Sequence, residues 1–124
     1  MELATSERNS VGHVLRAGDL EVRPDDFTAL VNGKPLALTV RELQLLTALA
    51  ERQGRIVSRA ELYAVVWGEP YRKADRSVDV YVAKLRQKLA DALPGVDFIH
   101  THFGFGYRFT PFLQERHSSV TDSR

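Results

Sequence analysis

The sequence predicts an α+β fold, and three observations carry that expectation. Short runs of alternating apolar residues open the chain and flank an Asn-Gly pair. Two capping signatures then precede stretches with helical apolar spacing. The chain closes on two β-rich runs around Gly104-Phe105-Gly106. At 124 residues it encloses one core comfortably and two poorly, so one domain is expected.

Residues 1–13 (MELATSERNSVGH) are polar and without period, so a flexible tail or linker remnant is expected there. The domain should run over residues 14–112, with residues 113–124 as a second flexible tail. Leu15 to Val22 places Leu20 and Val22 at strand alternation, and Phe27, Ala29 and Val31 alternate again. Asn32-Gly33 then leads into KPLAL, because both residues accept positive φ at low cost and so form a tight hairpin turn. An N-terminal antiparallel sheet follows from these runs.

Helices come next. In TVRE, the Thr39 hydroxyl can take an orphan amide while Glu42 reaches back, a capping box. Leu43, Leu46, Leu49 and Ala50 supply the stripe behind it, and Gly54 ends the segment. SRAE, Ser58 to Glu61, repeats the device and opens a shorter helix through Leu62, Val65 and Val66. Trp67 closes that helix as a core and loop anchor, and Pro70 stops it. GEPYRKA is a loop, Asp75 caps a third helix, and that helix runs to Leu93 before Pro94-Gly95. A sheet, three helices and a terminal hairpin make a winged helix-turn-helix, with the third helix as reader and the hairpin as wing.

Composition bounds the chemistry. Zero cysteines exclude a disulfide framework and Cys-ligated zinc and fit a reducing compartment. No apolar run approaches the length of a membrane span. No glycine-rich phosphate loop, HExxH or GxSxG is present, so neither catalysis nor a cofactor is expected. His100 and His102 lie two apart on a strand, but without Cys or acidic partners a metal site is not expected. The net charge of +1 hides an asymmetry: Arg72, Lys73, Arg76, Lys84, Arg86 and Lys88 stand against Asp75 and Asp79, so residues 72–88 carry +4 and the rest −3. A concentrated positive segment is what an element facing a polyanion shows.

The third helix, DRSVDVYVAKLRQKL, holds the most specific signal. Val78, Val82, Leu85 and Leu89 form its core stripe. Val80 falls on the opposite side, among Arg76, Ser77, Lys84, Gln87 and Lys88, with Tyr81 beside it. A valine there can read a thymine methyl in the major groove, while Arg76, Ser77 and Lys84 suit phosphates and base edges. Packing beneath the wing or at a dimer contact is the other reading of Val80. Tyr81 suits a phosphate contact or packing, and Arg86 and Lys88 suit phosphates or simple solvation.

The stretches GDLEV, LALTVRELQLLTALAERQGRIVSRAELYAVVWG, DRSVDVYVAKLRQKL and GFGYRF together resemble the OmpR/PhoB family of response-regulator DNA-binding domains, from about Leu15 to Phe112. The resemblance implies a cytoplasmic bacterial two-component regulator's effector domain, binding double-stranded DNA and dimerising on repeated half-sites. A receiver domain would belong to the parent chain, unless this is a stand-alone regulator; residues 1–13 cannot contain one. It also implies that Thr101 contacts the DNA backbone. Glu69, Tyr71, Arg72 and Lys73 would form an RNA polymerase contact, so a protein-interaction module is the competing function. One departure stands out: the family often has an arginine just before the glycine-x-glycine turn, where this chain has Phe103, and His102 replaces an aliphatic residue. Phe103 or Phe105 would then press on sugars or, as favoured here, cover the inner face of the wing.

Overall fold

The computed structural model describes residues 13–113; the expected tails lie almost wholly outside them. Strands β1 (Leu15–Ala17), β2 (Leu20–Arg23), β3 (Thr28–Val31) and β4 (Lys34–Pro35) form an antiparallel sheet in chain order. Asn32 and Gly33 join β3 to β4 at φ 51 and 81, the positive values a two-residue hairpin turn requires. Leu20, Val22, Ala29 and Val31 turn inward as their alternation predicts. Phe27 does not: it is 80% exposed, because Pro24–Asp26 form a 3₁₀ turn that throws it out of the strand at φ 51.

Helix α1 (Val40–Glu51) opens on the predicted capping box, with Glu42 N donating to Thr39 Oγ1 (3.2 Å) and Thr39 N to Glu42 Oε1 (2.8 Å). Its buried face is wider than one stripe. Leu45 and Ala48 join Leu46, Leu49 and Ala50 in the core, while Leu43 is half-buried, because α1 is surrounded by β1, β2, the wing and both other helices. Strand β5 (Ile56–Val57) was not foreseen; two residues carry no period to detect.

Helix α2 (Arg59–Trp67) makes only half of the second capping box. Ser58 Oγ accepts from Glu61 N at 3.0 Å, but the Glu61 carboxylate is drawn instead to Arg52 Nε (3.0 Å) and Arg55 Nη2 (2.8 Å). The phase of α2 also differs from expectation. Tyr63 is buried and Val65 is 47% exposed, because the aromatic ring stacks into the α2–α3 junction. Helix α3 (Ser77–Ala92) has Arg76, not the expected Asp75, at its N-cap. Asp75 lies one residue earlier and its Oδ1 accepts from Ser77 N (2.8 Å), while Val78, Val82, Leu85 and Leu89 are all buried as predicted.

Strands β6 (Val96–His102) and β7 (Gly106–Leu113) form the terminal hairpin, and β5 adds to β7 to make a second sheet in the order β5-β7-β6. An irregularity between Asp97 and Ile99 lets the consecutive Phe98 and Ile99 both face the core. The architecture is therefore the predicted α+β winged helix-turn-helix.

Candidate nucleic-acid interface

Burying one stripe of α3 turns the opposite side outward. Arg76 and Lys84 are exposed, Ser77 is half-buried, and Val80 stands 47% exposed. Val80 is thus a surface valine and not a residue packed beneath the wing. Tyr81 does pack: its ring meets Trp67 edge-on at 5.7 Å, and the Lys84 ammonium sits 5.0 Å from its centroid. The ring face holds the ammonium to one flank of the helix.

Asp79, one residue before Val80, brings the face and the wing together. It accepts from Arg59 Nε (2.7 Å) at the start of α2 and from the Tyr107 hydroxyl at the base of the wing, and Arg76 Nε lies 3.5 Å away. The Arg59 and Arg86 guanidinium carbons also lie 5.0 and 5.6 Å from the Tyr107 ring centroid. Burial pushes the Asp79 carboxyl up, but the Tyr107 and Arg59 hydrogen bonds outweigh it and hold it below its ordinary range. Burial and the neighbouring carboxylate push the Tyr107 phenol the other way, up, so its proton stays in place. A carboxylate that would repel phosphate is neutralised by cations on both sides, and three elements are locked together at the same point.

Sequence reasoning missed Arg59, Asp79 and Tyr107 as a unit. Only the Arg76–Asp79 spacing is visible along one helix; the rest is 20 and 28 residues away.

Arg86 and Lys88 are committed within the protein. Arg86 donates twice to the Ile99 carbonyl (3.2 and 3.0 Å) and once to Thr101 Oγ1 (2.6 Å), fastening β6 to α3. Thr101 accepts that bond, which leaves its own hydroxyl proton to donate elsewhere. Lys88 Nζ reaches Glu42 Oε1 at 2.7 Å, and Glu42 is 2% exposed. Among the described residues Glu42 is the one buried charged side chain, so Lys88 serves the α1–α3 contact and leaves the outward face.

The loop between α2 and α3 divides similarly. Glu69, Arg72 and Lys73 are exposed. Tyr71 turns in, edge-on to Tyr63 at 5.7 Å, with its hydroxyl 3.4 Å from the Asp75 carbonyl. Tyr63 stacks on Trp67 at 5.1 Å, and Arg41 covers the Trp67 ring at 5.0 Å while donating to the Val66 carbonyl (2.8 Å). Trp67 is accordingly the anchor its bulk suggested. Aromatic contacts therefore run unbroken from the loop to Tyr81 on α3.

At the wing, His100 Nε2 lies 2.9 Å from the Thr110 carbonyl, and its ring meets Phe112 edge-on. The expectation that Phe103 and Phe105 cover the inner face fails. They are 86% and 71% exposed, because Tyr107 and Phe109 already fill that face.

Residues 33–109 match the family model described as transcriptional regulatory protein, C terminal. The transcriptional regulatory protein PrrA of Mycobacterium tuberculosis is 38% identical over 102 residues, covering 82% of this chain and 43% of PrrA. The DNA-binding domain of Escherichia coli CpxR superposes with a TM-score of 0.72 at 33% identity, covering 78% of this chain and 95% of that one. The Klebsiella pneumoniae RstA DNA-binding domain, solved in complex with the RstA box, also gives 0.72, at 32% identity, covering 81% and 99%. This chain spans less than half the length of the curated regulators it matches. With the helix-turn-helix, the wing and the outward cationic face in place, the chain belongs to the OmpR/PhoB-type C-terminal domains of transcriptional regulatory proteins.

Proposed function

We propose that this domain binds double-stranded DNA sequence-specifically, with α3 in the major groove and the β6–β7 wing against the adjacent backbone and minor groove. The observation that carries this reading is the outward face of α3. It combines Arg76, Ser77, Lys84 and an exposed valine, and the carboxylate next to that valine, Asp79, is already neutralised by Arg59 and Arg76 and hydrogen-bonded by Tyr107. Val80 meets a thymine methyl, Lys84 and Arg76 take base edges and phosphates, and Ser77, Tyr81 and Thr101 donate hydroxyls to the backbone. Arg86 and Lys88 act indirectly by holding the wing and α1 in register with α3.

The parent regulator carries a receiver domain and dimerises on repeated half-sites in the cytoplasm, where its polymerase contact is Glu69, Arg72 and Lys73 with Tyr71 as the inward anchor. What supports this is the family and the exposure of that loop. Among the described residues no helix is long and apolar enough to cross a membrane.

Arg76 and Lys84 can neutralise about two phosphates, so log K against log[salt] should slope by roughly −2 on duplex DNA. A flat response, or no binding to any duplex at low salt, would instead favour a protein-docking module.

A further inference from the structure

Phe103 and Phe105 stand at the wing tip on either side of Gly104, 86% and 71% exposed. Two phenyl rings in water are costly, at about 25 cal/mol per Å² of apolar surface. Nor is the tip a loose end. Phe105 N donates to the His102 carbonyl (2.8 Å), and Gly106 lies so near β5 that a Cβ there would sit 2.0 Å from the Val57 carbonyl oxygen. Tyr107, two residues beyond Phe105, is hydrogen-bonded to Asp79, the neighbour of Val80. On the other strand, Arg86 ties Ile99 and Thr101 to α3. The two strands that carry the rings are therefore fastened to α3, the helix with the outward cationic face, at Asp79 and Arg86.

Charge says what kind of contact this is. Residues 102–106, His-Phe-Gly-Phe-Gly, contain no Lys, Arg, Asp or Glu, so the tip has little with which to grip a phosphate. The apolar surface of a duplex lies in the deoxyribose walls of the minor groove and between bases that unstack easily. We propose that Phe103 and Phe105 form an apolar wing tip that docks in the minor groove flanking the α3 site, pressing on sugar faces and selecting a deformable pyrimidine–purine step. This rests on the DNA-binding reading above and assigns the wing a role in shape recognition that is independent of salt.

The test uses the 124-residue chain and duplexes enriched by it from a randomised pool. Phe103→Ala and Phe105→Ala should leave the melting temperature unchanged, since both rings are exposed. Each should weaken binding to the enriched duplex by about tenfold, with an unaltered salt slope. Phe103→Arg should steepen that slope by about 1. With 2-aminopurine scanned along the flank, the wild type should raise fluorescence at one step, and the double alanine variant should not. Alanine variants that bind and select flanking steps like the wild type overturn the wing-tip role while leaving α3 as the reader. If the wild type enriches no duplex, DNA binding itself fails and the wing-tip role goes with it.

Discussion

At Val80 an apolar side chain interrupts a cationic surface, and the structure leaves it open to solvent instead of closing the wing over it. In the DNA-binding reading proposed above, its contribution is apolar contact with the duplex. Val80→Ala should leave thermal stability within about 0.5 kcal/mol, as exposed substitutions usually do. It should weaken binding to the preferred duplex by about 1 kcal/mol. Replacing the contacted thymine with uracil should cost the wild type the same amount and the alanine variant almost nothing. Zero coupling at every thymine of a half-site in a protein–base double-mutant cycle would sink methyl reading. The structure also divides the other cations of α3. Lys84 stays outward over Tyr81, while Lys88, one turn further on, reaches a buried carboxylate.

The wing is an element whose position depends on one backbone approach. Gly106 at φ 139 faces the Val57 carbonyl, and the carbonyl carbon of the same residue would lie 2.8 Å from an added Cβ. Gly104 at φ 86 has nothing within 4 Å of its own, so the two glycines separate backbone strain from collision. Gly104→Ala should cost about 1 kcal/mol for its left-handed conformation alone. Gly106→Ala should cost at least about 2 kcal/mol, because β5 must also part from β7. Equal losses for the two in urea unfolding would show that the β5–β7 approach is not tight in solution.

Across the whole molecule, the capping box of α1 doubles as a tertiary tie. Burial pushes the Glu42 carboxyl up, but Lys88 and Thr39 outweigh that and hold it below its ordinary 4.5. An unfolded chain therefore takes up this proton at a higher pH than the folded one does. The stabilisation is complete above 4.5 and is lost as the pH falls through the lower folded value. Asp79 adds in the same direction, below its ordinary 3.8. Unfolding free energy should thus begin to fall as the pH drops through 4.5 and go on falling below 3.8. Glu42→Gln should cost about 1–3 kcal/mol at neutral pH and flatten part of that fall. An acid dependence identical in both proteins would mean that Glu42 does not couple α1 to α3.

Much of this domain follows from local chemistry. Thr39 and Glu42 cap α1, Asn32-Gly33 turns β3 into β4, and the stripe from Val78 to Leu89 fixes which side of α3 faces out. Each depends on residues a few positions apart, where hydrogen-bond reach and helical or strand period decide the outcome. Tertiary structure decided the rest. Tyr63 displaced Val65 from the core because Trp67 and Tyr71 offered it ring contacts. Glu61 left its capping box for two arginines, β5 formed only because β7 lay beside it, and Asp79 found Arg59 and Tyr107 across the sequence. Long side chains and two-residue strands have no period of their own, so their partners are chosen by what the packed core brings within about 3 Å.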